Sequence, residues 1–234
     1  MKNVIRAVDW DLTSSQMHDK GFALIKDLLA SEQCRSLIRL YDHPGLFRKT
    51  VIMERHRYGL GEYRYFDYPL PELVQTIREN VYPYLVPIAN RWMKIVRMGI
   101  QYPKTFPEFQ TRCSDRNQTK PTALILKYGR GGFNTLHQDL YGEVYFPIQL
   151  VLFLNEPGEE YTGGEFILTE QLPRAQSKVT VISPAKGDML LFSTSFRPIR
   201  GLKRYYRANI RHGVSEVHHG ERYTLGVIFH DASK

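Results

Sequence analysis

"LKYGRGGFNTLHQDLYGEVYFPIQLVLFLN", residues 126–155, joins a glycine-rich turn to a His-x-Asp triplet and then to an aliphatic run. His137-Gln138-Asp139 is the sole His-x-Asp in the chain. In extended backbone, residues i and i+2 point to the same side, so the imidazole of His137 and the carboxylate of Asp139 face one space from a single strand end. Two readings compete at this point: a hydrogen-bonded pair that ends a strand, or two ligands of one metal ion. The run that follows, "FPIQLVLFLN" (146–155), is short, apolar and flanked by turn residues, as a buried strand is.

From about residue 120 the chain repeats this grammar. "TALILKY" (122–128), "EFILT" (165–169), "KVTVIS" (178–183), "DMLLF" (188–192) and "RYTLGVIF" (222–229) are short strand patterns separated by Gly and Pro. Their number and spacing predict a jelly-roll sandwich or barrel. The first half reads mainly helical. Ser31 is a candidate N-cap for a helix with Cys34, Leu37, Ile38 and Tyr41 on one stripe. Pro71 opens a second helix, with Leu73, Val74, Ile77 and Val81 at helical spacing, which Pro83 and Pro87 are expected to break or kink. The polar, proline-interrupted segment 101–121 reads as a surface loop and a candidate mobile cover. The expected architecture is α+β: one domain over 1–234, with a helical support region (1–100) packed on one face of a jelly-roll core (120–234).

Composition sets outer limits. A chain of 234 residues with 42% hydrophobic and 24% charged residues is ordinary for a globular protein, and 15 Tyr with 12 Phe suit a β-rich core. No apolar stretch is long enough to span a bilayer, and "MKNVIRAVDWDLTSS" shows no apolar signal region, so no membrane partner is expected. Cys34 and Cys113 form neither a metal nor a disulfide pattern, and a reduced, cytoplasmic setting is the expectation. The formal charge of +8 suits a polyanionic partner, or solubility alone.

The metal reading gains weight from "RHGVSEVHHGERYTLGVIFH" (211–230). With His212, the chain offers two His and one carboxylate, the facial triad that leaves positions open on non-haem Fe(II). Arg222 and Thr224 are again i and i+2, and a guanidinium fork beside a hydroxyl is a receptor for a carboxylate. His218 and His219 lie too close to Arg222 and are expected in a solvated turn, while His230 reads as a core histidine. Taken in order, "LKYGRGGFNTLHQD", "LVLFLN…TGGEF", "VISPAKGDMLLFS" and "HGVSEVHHGERYTLGVIF" resemble the 2-oxoglutarate/Fe(II)-dependent dioxygenase superfamily, with the motif order of its prolyl hydroxylase-like members. The resemblance covers roughly 120–231. It implies a double-stranded β-helix core in which His137, Asp139 and His212 carry Fe(II). Arg222 pairs with the distal carboxylate of 2-oxoglutarate, Thr224 and Tyr128 add hydrogen bonds, and O2 is the second cosubstrate. Gly163-Gly164-Glu165 and Gly187-Asp188 are then turn and strand-start positions.

For the oxidised substrate the sequence offers charge. "RPIRGLKRYYRANIR" (197–211) carries Arg197, Arg200, Lys203, Arg204 and Arg207 with interleaved tyrosines, and leads into His212, so it is expected to rim the pocket. A second basic group holds Arg48, Lys49, Arg55 and Arg57. Basic side chains among aromatics suit phosphate contacts and base stacking, whereas the bland reading is a solvated loop. Within the superfamily the chain resembles a bacterial group proposed to demethylate damaged nucleic acid oxidatively. Hydroxylation of a protein residue, prolyl above all, or of a small molecule is the alternative. A cupin-like metal-binding barrel without redox chemistry is a distant one, disfavoured by Asp139 and Arg222.

Overall fold

The computed structural model describes residues 1–234. Its helices are α1 (Lys2–Arg6), α2 (Trp10–Lys20), α3 (Ser31–Leu40), α4 (Glu72–Ile95) and α5 (Phe106–Ser114). Its strands are β1 (Phe22–Ile25), β2 (Phe47–Ile52), β3 (Gly59–Leu60), β4 (Glu62–Phe66), β5 (Leu124–Tyr128), β6 (Phe133–His137), β7 (Ile148–Phe153), β8 (Tyr161–Gly163), β9 (Phe166–Gln171), β10 (Lys178–Ile182), β11 (Met189–Ser193), β12 (Phe196–Arg200), β13 (Tyr205–Val214), β14 (Val217–Gly220) and β15 (Arg222–Val227). A seven-stranded major sheet has the order β1-β11-β7-β15-β5-β4-β2. A minor sheet runs β10-β9-β13-β6-β3, with β12 on β13, and β14 pairs β8. Every strand pairing is antiparallel, as the jelly-roll reading requires.

Strand alternation sorts the major sheet into two faces. Ile125, Ile148, Leu150, Leu152, Leu191 and Leu225 join Val74, Ile77, Val81, Leu85 and Trp92 of α4 in the large core. On the other face Val151, Phe153, Leu190 and Phe192 meet Phe166, Leu168 and Ile210 of the minor sheet. Val151, Phe166 and Phe192 of this cluster also line a cavity between the sheets, and the site lies there.

Several expectations change. The N-terminal half is not only a helical support: β1 borders β11, while β4 and β2 extend the major sheet beyond β5. Pro83 and Pro87 do not break α4, which runs unbroken over 24 residues. Both prolines lie on its exposed face, where water solvates the carbonyls that lose their partners, while Tyr82, Leu85, Val86, Ala89 and Trp92 hold the other face in the core. Segment 101–121 is not a loop or a cover. It contains α5, opened by a Thr105–Glu108 capping box, and Phe106, Phe109 and Cys113 are buried. α3 begins at Ser31 with Ala30 as its N-cap, the Ala30 N–H donating to Gln33 Oε1 at 3.0 Å. Cys34 and Cys113 are free and buried. No helix is long and apolar enough to cross a membrane.

One polar knot ties the helical layer to the C-terminal end of the major sheet. Arg78 of α4, wholly buried, donates to Asp231 Oδ1 (2.5 Å), Phe229 O (2.8 Å) and the Tyr68 hydroxyl (2.8 Å). Tyr68 in turn donates to Asp231 Oδ2. Removing one partner strands a buried charge. Arg78→Met is expected to destabilise the protein by about 3–5 kcal/mol in urea unfolding, and Arg78→Met with Asp231→Leu to regain most of the loss. A single substitution costing under about 1 kcal/mol contradicts this account.

Candidate active site

β6 and β13 are neighbours in the minor sheet, and His137 stands directly opposite His212 in their register. Residues so paired hold their Cβ atoms about 5 Å apart, and the two imidazole rings lie with centroids at 4.1 Å. Asp139, two residues past His137, turns in beside them. Its Oδ2 lies 3.3 Å from His212 Nε2 and its Oδ1 3.6 Å from His137 Nε2. One ligand atom from each of the three lies within 4.8 Å of the others. Gln138, between them, also borders the cavity, and its amide donates to Ser195 O, Ile210 O and Asn209 Oδ1, tying the ligand-bearing segment to β13 and its neighbour.

The surroundings prepare these groups as ligands. Thr135 O lies 2.8 Å from His137 Nδ1; a carbonyl only accepts, so that nitrogen carries a proton and Nε2 is the nitrogen that faces the other ligands. The His212 ring packs against Phe166 (5.8 Å, stacked) and Phe192 (4.8 Å). Burial, then the neighbouring His137, pulls its pKa below the usual value, which favours the neutral imidazole that binds metal. Burial pushes the Asp139 carboxyl up, but the two histidines and a hydrogen bond from Tyr141 outweigh it, and the group is held well below the usual carboxylate range. The Tyr141 hydroxyl donates to Asp139 Oδ1 at 2.6 Å and lies 3.1 Å from that of Tyr65. Tyr141 stands at i+2 from Asp139, a spacing visible in the sequence that carries no family motif.

A cavity of about 420 Å³ contains all three groups and reaches Arg222, Thr224 and Tyr128 on the major sheet. Arg222 is 1% exposed, and its Nε and Nη1 have no hydrogen-bond partner. Its guanidinium sits among the rings of Phe153 (5.4 Å), Tyr128 (5.6 Å) and Tyr161 (6.0 Å). Gly164, at φ +66, lets it lie there, since a Cβ at that position meets Arg222 Cδ at 2.8 Å. A buried guanidinium without an acceptor is costly, and a carboxylate is its natural partner. Thr224 is buried on the same strand, and Tyr128, directly opposite Arg222 in β5, receives a hydrogen bond from Asn134. The donor set of two imidazoles and a carboxylate suits Fe(II), and the unpaired Arg222 suits the far carboxylate of a diacid chelating the same ion.

The basic segment 197–211 lies elsewhere. Arg197 is 8% exposed, pairs with Glu170 (Nε–Oε2 2.5 Å), donates to His18 O and packs on Gly21; it holds β12 to β9 and α2. Arg200, Lys203, Arg204 and Arg207 are exposed on the β12–β13 hairpin, and none lines the cavity. A strand that delivers His212 at one end carries its hairpin away at the other, about 3.3 Å per residue. His218 and His219 are exposed on β14, and His230 is a buried residue whose Nδ1 accepts the Phe146 N–H.

Fold and site together define a 2-oxoglutarate/Fe(II)-dependent oxygenase. Residues 61–232 match a family of oxygenases described as catalysing oxidative methylation of damaged DNA, and the chain belongs to that family. An uncharacterized protein of Mycobacterium tuberculosis, present in two strains, is 41% identical over 205 residues, spanning 82% of this chain and 88% of that protein. Among solved structures, a Pseudomonas putida prolyl-4-hydroxylase aligns over 95% of this chain and 98% of its own, with a TM-score of 0.57 at 13% identity. A 2OG-Fe(II) oxygenase-family protein from Burkholderia pseudomallei aligns over 97% and 94% (TM-score 0.52, 12% identity). A Trichoplax adhaerens prolyl hydroxylase, solved with a fragment of hypoxia inducible factor, aligns over 98% and 91% (TM-score 0.53, 16% identity).

Because Tyr141 holds one oxygen of Asp139, Tyr141→Phe is expected to weaken Fe(II) affinity about tenfold or more in an anaerobic titration, with an unchanged melting temperature in metal-free protein. Arg222→Ala is expected to raise the apparent KM for 2-oxoglutarate about ten- to a hundredfold. Unchanged values assign these roles to other side chains.

Proposed function

We propose that this chain is an oxidative demethylase of alkylated nucleic acid, in which His137, Asp139 and His212 hold Fe(II) and Arg222, with Thr224 and Tyr128, holds 2-oxoglutarate. The observation that carries the reading is one cavity containing both a three-ligand group and a buried, unpartnered guanidinium. Fe(II) with 2-oxoglutarate and O2 supplies the oxidation: 2-oxoglutarate loses CO2 and takes one oxygen atom as succinate, and the other enters a substrate C–H bond. The residues' tasks are positional. His137 and His212, anchored on neighbouring strands, would each offer one ring nitrogen to the ion on one side of the cavity. Asp139, steadied by Tyr141, adds the negative charge. Arg222 fixes the depth at which the diacid sits, and the walls of Phe153, Tyr128 and Tyr161 keep water from its guanidinium.

The substrate half rests on the family's description and on charge. On an N-methyl group the inserted oxygen gives N–CH2OH, which expels formaldehyde and restores N–H; methyl loss, rather than methyl transfer, is the balanced outcome of such an oxidation. A base must leave its stack to reach a buried centre, and the cavity has room for one ring system. The formal charge of +8 favours a polyanion.

With Fe(II) and 2-oxoglutarate, a single-stranded oligonucleotide carrying an N-methylated base is expected to release one formaldehyde per succinate. His137→Ala, Asp139→Ala and His212→Ala are each expected to reduce this to background while retaining the native circular dichroism spectrum. Succinate formation stimulated by a prolyl peptide but not by the oligonucleotide favours a protein hydroxylase instead.

A further inference from the structure

Arg222 is not the sole buried polar group in the cavity without a partner. Gln149, on β7, lines the same space, is 2% exposed, and its Nε2 has no hydrogen-bond partner. It is the one polar residue of "IQLVLF", a strand buried along its whole length. An unsatisfied buried amide costs about 1–3 kcal/mol, so a native structure that keeps one invites a ligand to complete it.

The strand registers show that this ligand is not the one Arg222 awaits. Thr224 of β15 lies opposite Phe153 of β7, and Leu150 opposite Val227. Arg222 is therefore beyond one end of the paired stretch and Gln149 beyond the other, their Cα positions about 20 Å apart at the rise of a strand. Gln149 also lies directly opposite Phe192, whose ring is 4.8 Å from that of His212. Gln149 thus lies at the His212 end of the cavity, and Arg222 toward the other end of the strand pair.

What surrounds Gln149 gives that molecule a shape. The cross-strand row beside it reads Val151, Gly226, Leu124, Tyr65 and Lys49 from β7 to the free edge at β2. Gly226 leaves the row without a side chain at its centre, and Tyr63, Tyr65 and Tyr141 wall the space beyond. These tyrosines and Tyr58 also line an adjoining pocket of about 170 Å³, where Arg48, Lys49 and His56 appear and no acidic side chain does. Neither Arg48 nor Lys49 is in a salt bridge; the Arg48 guanidinium lies 4.7 Å over the Tyr65 ring, and His56 stacks on Tyr58 at 5.3 Å. A polar edge reader, aromatic walls and a basic mouth follow one another from the metal outward.

We infer that this track is a nucleotide subsite: the Gln149 amide donates to an acceptor on the ring edge of the extruded base, the tyrosines enclose the ring, and Arg48 and Lys49 take the phosphates that flank it. The inference rests on the nucleic-acid reading above and assigns to it a base-reading residue and an entry route over the β4–β2 edge. Charge at the mouth sets affinity without regard to the base, whereas a hydrogen bond in the cavity depends on it.

The test is fluorescence anisotropy with the full chain and a short labelled single strand carrying one N-methyladenine, against its unmodified counterpart, over a range of salt. Gln149→Met, close in shape and without the amide, is expected to lose about tenfold in affinity for the methylated strand, and most of the preference for it, while 2-oxoglutarate affinity measured in the same preparation stays as in the wild type. Arg48→Gln with Lys49→Gln is expected to keep the preference but to lower the slope of log K against log[salt] by about 1.4, two phosphate contacts' worth. Wild-type protein that binds and demethylates the strand, together with a Gln149→Met variant that binds it as tightly and as selectively, overturns the subsite and leaves the proposed function standing. Wild-type protein that neither binds nor demethylates it overturns both.

Discussion

The pairing of β6 with β13 is the constraint on which the site depends. Their register sets His137 opposite His212, and the backbone that leaves β6 carries Asp139 back toward both imidazoles. A slip of one residue in that pairing turns one imidazole to the other face of the sheet and leaves two ligands in place of three. Several interactions guard against it. β13 is flanked by β6 on one side and β9 on the other, and Gln138 ties the segment between the two ligands to carbonyls of Ser195 and Ile210. The minor sheet is thus a jig for three donor atoms, and the major sheet faces them with the groups that take the organic molecules.

The two sheets divide the electrostatic burden. On the ligand side, Thr135 O holds His137 and Tyr141 holds Asp139, while His212 Nδ1 is buried without a partner. The major sheet also leaves polar groups unpaired, Arg222 toward one end and Gln149 toward the other. Such groups lower the stability of the empty protein and are repaid when an anion or a polar ring edge arrives. Burial among Phe153, Tyr128 and Tyr161 makes the Arg222 interaction strong once formed, because few other acceptors compete inside so dry a space.

Much of this was legible in the linear order of residues. Short apolar runs bounded by Gly and Pro marked the strands after residue 120, and the parity of His137 with Asp139, and of Arg222 with Thr224, indicated which side chains share a side. Register was not legible: nothing in "RANIRHGV" tells which neighbour β13 takes, so the meeting of His212 with His137 came from the superfamily's motif order. The β2 and β4 strands were hidden because an edge pair carries charges, here Arg48, Lys49, Glu62 and Arg64, where a central strand carries aliphatics. α5 was hidden behind two prolines, although Thr105 and Glu108 held the capping-box spacing. The basic segment misled for a similar reason. Charge is visible in sequence, but the partner that neutralises it is not, and Glu170 lies beside Arg197 only after β9 and β12 are assembled on β13.

The central claim concerns where one ion and one diacid sit. Anomalous diffraction at the iron edge, from crystals grown without oxygen in Fe(II) and 2-oxoglutarate, addresses both in one experiment. A single iron peak within coordinating distance of His137 Nε2, His212 Nε2 and an Asp139 carboxylate oxygen, with the far carboxylate of 2-oxoglutarate on the Arg222 guanidinium, is the result this account predicts. Iron bound elsewhere, or a diacid whose far end turns away from Arg222, contradicts it.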